Sequence, residues 1–204
     1  MTLIFKSEPS EVAEVIKNKL GQMASIRAFR TPQLARIISK GTAQPPVPTQ
    51  ALPVYHLGLT DLAEDRDLGA AAVQTGWRYS LKHENKVIAS AETVFGPDRK
   101  PIFAQINEGP LVQGIQSAIR AADAHQGIKK SEYEVRLLMI PALYTAALWL
   151  VDTKGGHDMA VPIAPVALPL QPDKPVPVEK LLAVLQNAAR AKLSAPQADE
   201  PVGG

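Results

Sequence analysis

Residues 137–151, LLMIPALYTAALWLV, form a fifteen-residue uncharged run bounded by Arg136 and Asp152. A run of this kind must enter a membrane or be buried by the rest of the chain. A helix that spans a bilayer needs about 20 apolar residues. This run is shorter, is interrupted by Pro141 and has a charge at each end, so it is core. Before the proline, Val135, Leu137 and Met139 alternate with Glu134 and Arg136, the period of a strand. After it, LWLVDTKGGHDMAVPIAP reads as two apolar strands joined by a glycine-containing loop. A single buried helix starting at Pro141 is the competing reading for 141–151. The strand reading makes Pro141 a bulge or bend and places 143–151 centrally, under helices.

The same contrast of periods organises the rest of the chain. Residues 76–94, GWRYSLKHENKVIASAETV, predict an antiparallel hairpin. Trp77, Tyr79 and Leu81 alternate with Arg78, Ser80 and Lys82, and Glu84 and Asn85 supply the turn. One face is expected to be buried and the other wet, with Arg78 beside Ala91 and diagonal to Glu92, within reach of a surface ion pair. Residues 54–59 and 102–106 are further short strands. Residues 161–178 hold Pro162, Pro165 and Pro169, which suits an edge strand running into an extended crossing segment.

Helical spacing appears four times. In 10–22, Val12, Val15, Ile16 and Leu20 recur at three and four residues, with Ser10 as the expected cap. In 32–39, Thr31 is the expected cap, Pro32 suits the first position, and Leu34, Ile37 and Ile38 make the stripe. A third helix runs from about Pro110 to Gly127, and a last one over 178–193.

These elements predict an α+β fold: a mainly antiparallel sheet of about six strands with helices packed on it, preceded by a short N-terminal helical pair. The division is 1–40 for that pair, packed on the main body; 41–53 for a Pro-rich connector; 54–193 for the main domain; and 194–204 for a disordered tail. At 204 residues the chain is long enough for one such domain without covalent staples.

Composition narrows function mostly by exclusion. There are no cysteines, so disulfides, thiolate metal sites and cysteine nucleophiles are absent. That fits a reducing compartment, and the start MTLIFKSEPSE lacks the apolar stretch of a secretory signal. The expected location is cytoplasmic. The net charge of +2 is small, but residues 1–40 carry seven cations against three carboxylates, a local +4. Arg27, Arg30 and Arg36 around the second helix raise weak nucleic-acid binding. Phe29 is the only stacking residue there, and a phosphate-tracking surface usually carries more charge.

No motif marks a reaction. His56, His83, His125 and His157 stand at no metal-ligand spacing. DLAEDRD, starting at Asp61, puts Arg66 where a calcium loop needs glycine. No serine lies in a nucleophile elbow, and there is no glycine-rich phosphate loop. Two weaker constellations remain. In DTKGGHD, backbone N–H groups around Gly155 and Gly156 could face an anion, with Lys154 and His157 beside them; exposed hairpin-loop residues are the simpler reading. In NEGP, Glu108 immediately precedes a helix and serves either as an acid or base there or as a cap. Pocket candidates are therefore Glu108, Trp77, Tyr79, Tyr144, Lys154 and His157, with no catalytic residue, metal ligand or cofactor assigned. The leading expectation is a non-catalytic binding or assembly component of a bacterial cytoplasm, its partner another protein or itself. The alternative is a small-molecule site or enzyme pocket between sheet and helix.

Overall fold

The computed structural model describes residues 3–39 and 46–195. In chain order these form β1 (Leu3–Ile4), α1 (Ser10–Ser25), α2 (Pro32–Ser39), β2 (Val47–His56), α3 (Leu59–Ala63), α4 (Leu68–Ala71), β3 (Val73–His83), β4 (Lys86–Phe95) and β5 (Pro101–Asn107). They continue as α5 (Pro110–Ala124), β6 (Tyr133–Ile140), β7 (Thr145–Asp152), β8 (Met159–Ile163), β9 (Val176–Pro177) and α6 (Val178–Ser194). The class is α+β, but the sheet is larger than expected and mixed. Nine strands among the described residues run in the order β5-β4-β3-β2-β6-β7-β8-β9, with β1 also on β6. The pairings β2–β6 and β1–β6 are parallel and the others antiparallel.

The missed strand explains the difference. Residues 47–53, assigned to the connector because of their prolines, are the first part of β2. β2 pairs with β3 along its length but with β6 only from Val54 to His56. Over 47–53 one edge of β2 therefore has no ladder to lose, and Pro48 and Pro53 are tolerated there. Of the rest of the expected connector, 41–45 lies outside the described residues, as does the expected tail from residue 196 onward.

The opening run resolves as strand, turn, strand. β6 ends at Ile140, Pro141–Leu143 forms a 3-10 turn, and β7 begins at Thr145. β7 lies between β6 and β8, and its residues from Thr145 to Leu150 are all buried. Among the described residues no helix is long and apolar enough to cross a membrane.

The sheet is covered unequally. On one face, α5 lays Ile115, Ala118 and Ala122 on Leu52, Val54, Leu137, Leu148 and Val161. On the opposite face, α1 and α2 bury Val12, Ile16, Leu20 and Leu34 against Trp77, Tyr79, Leu81 and Ala91. That face continues along β2, where Ala51 and Tyr55 are an even number of residues apart and so point the same way. There α3, α4 and α6 cover Leu138, Ile140, Ala147 and Trp149.

Two expected caps are replaced. Ser10 is the first helical residue of α1, and its N-cap is Pro9. The Thr31 hydroxyl is buried without a hydrogen bond. The start of α2 is held instead by Glu108, whose carboxylate accepts from the Gln33 and Leu34 N–H groups at 3.0 and 2.9 Å. A helix N-terminus favours such a carboxylate because its first N–H groups have no partner within the helix.

Candidate functional site

The hairpin formed by β3 and β4 has the expected turn: His83 opposes Lys86, and Glu84 takes a positive φ of 53°. The expected wet face is not wet. Arg78 lies directly opposite Glu92, and both are buried, Arg78 at 5% exposure. The start of α5 and the adjacent strand β5 account for this. Gln116 on α5 donates to the Ser80 hydroxyl at 3.0 Å, and Gln105 on β5 donates to Glu92 at 3.3 Å. A polar strip that alternation assigns to solvent is thus enclosed between sheet and helix.

The strip is nearly self-sufficient. Arg78 donates one terminal nitrogen to Glu92 in a short ion pair and the other to the Ser90 hydroxyl at 3.0 Å. Its Nε is buried with no partner among the described residues. Burial works first against the charge of Arg78, and Glu92 opposes that effect. His56, on the same face, has its Nδ1 2.7 Å from the Thr75 hydroxyl. Burial is the main cause holding this imidazole below its usual range; Glu92 pulls it up and Arg78 pushes it down. The cavity between Arg78, Ser80, Ser90 and Gln116 on one side and Leu52, Val112 and Ile115 on the other is about 10 Å³. That is the space of one water molecule, far below the few hundred Å³ of an organic ligand site.

The sequence-derived candidates are dispersed. Trp77 and Tyr79 point to the other face, into the core beneath α1. Burial first, and then Glu8, pushes the pKa of the Tyr79 phenol above its usual value. Glu108 is committed to capping α2. Tyr144 sits in the left-handed region after the 3-10 turn, 79% exposed, with the Lys192 ammonium 5.5 Å from its ring centre. Lys154 and His157 belong to the β7–β8 loop and are exposed, facing Glu132 at 3.6 Å and Glu179 at 4.0 Å. The structure puts Trp77 and Tyr79 in one core cluster, and Lys154 and His157 on one loop against different carboxylates, but does not gather the set around one point.

The glycine loop holds an anion of its own. Asp152 accepts from the Lys154 N–H at 2.8 Å and the Ser131 hydroxyl at 2.9 Å, and the Gly156 N–H also bonds it. The backbone N–H of Lys154 is the main cause holding the Asp152 carboxyl below its usual value; slight burial opposes it. A carboxyl depressed by folding adds stability above its unfolded pKa, and that contribution is lost as pH falls through the folded pKa. The Asp152 side-chain carbonyl resonance is therefore expected to titrate below about 3.9, the free aspartate value. A midpoint at or above that value would show that the loop N–H groups do not bond it. Among the described residues no group of three or more histidine and carboxylate side chains is placed to hold a metal ion.

Sequence reasoning missed the buried Arg78–Glu92 cluster and, on the opposite face, Arg136 with Tyr55 and Trp149. A signal for the first was available. The supposed wet positions next to Arg78 and Glu92 are Ser80 and Ser90 rather than long charged side chains. Fold and site together define an α+β domain with a nine-stranded mixed sheet among its described residues and a closed polar cluster under one helix. Comparison with models of known protein families, with curated proteins and with solved structures finds no match for this chain.

Proposed function

We propose that the protein is a non-catalytic binding or assembly component, acting in a bacterial cytoplasm, that docks another protein or a second copy of itself on the α5 face of the sheet. One observation carries this reading. Among the described residues α5 is the α-helix that covers the core of that face, and apolar side chains beyond it are left in solvent. Ile102 on β5 is 50% exposed, and Val94, its cross-strand neighbour on β4, is 37% exposed. Gly76, opposite Val94 on β3, adds no side chain; the backbone of Thr93 and Val94 fills the space a Cβ would take. β5 itself, PIFAQIN, carries no charge. Adjacent exposed apolar residues on a sheet are typical of surfaces that a partner covers.

The two proline-containing extended segments are at least partly engaged within the fold, 47–53 along one edge only. Residues 47–53 lie in β2, and the segment after β8 folds back, with the Asp173 N–H on the Pro162 carbonyl at 3.0 Å. The cavity between the sheet and α5 beside Arg78 holds one water at most, which weakens the reading of a ligand pocket at that place.

A photo-crosslinking residue at position 102, compared with one at exposed Lys180, tests the reading in cells. A discrete adduct from position 102 alone is the expected result, and a mass of two chains would identify the partner as a second copy. Equal or absent crosslinking at both positions, together with a thermal shift by a metabolite, would overturn it in favour of a pocket.

A further inference from the structure

On the face opposite α5, between the helices over β3–β5 and those over β7 and β8, β6 presents Glu134 and Arg136. Each side chain is 20% exposed. Arg136 is held in an aromatic corner. Its guanidinium carbon lies 4.9 Å from the Tyr55 ring centre and 4.7 Å from that of Trp149. The two rings meet edge to face, 5.5 Å apart at 82°. The corner is itself anchored: the Trp149 Nε1–H donates to Asp158 at 2.7 Å, and the other oxygen of Asp158 accepts from the Asp152 N–H at 2.9 Å.

Arg136 spends little of its donor capacity on the protein. Its Nε donates to Glu134 at 2.8 Å. Its two terminal nitrogens have no hydrogen-bond partner among the described residues, and neither is sealed from solvent. The free edge of the guanidinium, with its two parallel N–H groups, matches the two oxygens of a carboxylate. Aromatic walls and the Glu134 bond have already fixed its plane, so little rotamer freedom remains to be lost on binding. The charge points to the same ligand. Lys6 lies 4.0 Å from Glu134, so two cations share one carboxylate, and Arg136, Lys6 and Glu134 together carry a single net positive charge. A monoanion neutralises it, whereas a phosphate dianion would meet Glu134 with charge in excess.

We propose that Arg136, seated between Tyr55 and Trp149, is a receptor for a carboxylate, supplied either by an acidic residue or chain end of a peptide or by a free small organic acid. The site faces away from Val94 and Ile102, so it stands or falls apart from the docking reading above.

The reporters are built in. The Arg136 Nε–H and Trp149 Nε1–H resonances of the full ¹⁵N-labelled chain can be followed during titration with acetate, with a short neutral peptide ending in a free carboxylate, and with chloride at matched ionic strength. Saturable shifts with acetate or peptide, absent with chloride, are expected, with binding roughly tenfold weaker in Arg136→Lys, which keeps the charge but loses the fork. The Trp149 shift should vanish in Arg136→Gln. Tighter binding of the peptide assigns the carboxylate to a protein partner; equal or tighter binding of acetate assigns it to a free acid. Shifts no larger than those with chloride, or a Trp149 shift that survives unchanged in Arg136→Gln, overturn the proposal. Should Arg136→Gln fail to fold, undiminished binding in Arg136→Lys overturns the bidentate recognition on which it rests.

Discussion

Replacing Glu92 with leucine is expected to cost about 3–5 kcal/mol in urea unfolding, among the largest losses any single surface-patterned position here should give. The reason is the partner left behind. Arg78 is buried, its Nε already lacks an acceptor, and Glu92 takes one of its terminal nitrogens. Without Glu92 only the Ser90 hydroxyl remains to it. The ion pair is not thereby a net source of stability, because both charges were taken out of water to make it. The double replacement Arg78→Met with Glu92→Leu should recover the wild-type value or exceed it by about 1–4 kcal/mol. The coupling between the two sites is then large and readable in a double-mutant cycle. A loss below about 1 kcal/mol for Glu92→Leu alone would mean that solvent reaches Arg78 and that α5 does not seal the strip.

Trp149→Ala is expected to cost about 3–5 kcal/mol, the usual range for emptying a buried aromatic site. Trp149 is 3% exposed and packs beneath α6 with Leu181 and Leu185. Its ring also forms one wall for Arg136, and its Nε1–H holds Asp158. Trp149→Phe separates these roles. It keeps most of the buried area and removes the indole N–H. The loss should be about 1 kcal/mol, since Asp158 retains the Asp152 N–H. A small loss for the alanine variant would contradict the placement of Trp149 on the α6 face.

Much of the local structure was legible because period and local chemistry carry it. The alternation through Trp77, Tyr79 and Leu81 selected the hairpin, and its turn lies at Glu84 and Asn85. The three- and four-residue spacing in α1, α5 and α6 selected helices, with Val12, Ile115 and Leu185 inward. The length of 137–151 and its proline excluded a membrane-spanning helix, and the alternation before the proline favoured, over one buried helix, the buried strand pair that forms. What failed was whatever depends on which surfaces meet. Prolines in 47–53 argue locally against a strand. Whether they are tolerated depends on whether the neighbouring strand needs their N–H groups, and β6 reaches β2 only from Val54.

The candidate sites divide along the same line. Period-2 patterning assigned Arg78 and Glu92 to one face but could not say that this face is covered. Their burial follows from where α5 crosses, which the sequence separates from Arg78 by more than thirty residues. Glu108 illustrates the reverse case. Its position before α5 suggested a role there, and the fold delivers it to the start of α2. The sequence by itself determined the strongly periodic helices and strands, the lack of a helix long and apolar enough to cross a membrane and the absence of thiol chemistry, since these depend on spacing and composition. Only the tertiary structure decided sheet order, parallel pairing, the burial of the Arg78–Glu92 pair and the aromatic seat of Arg136. Each of those depends on contacts between distant segments, and an alternating pattern records which side a residue takes, never what covers that side.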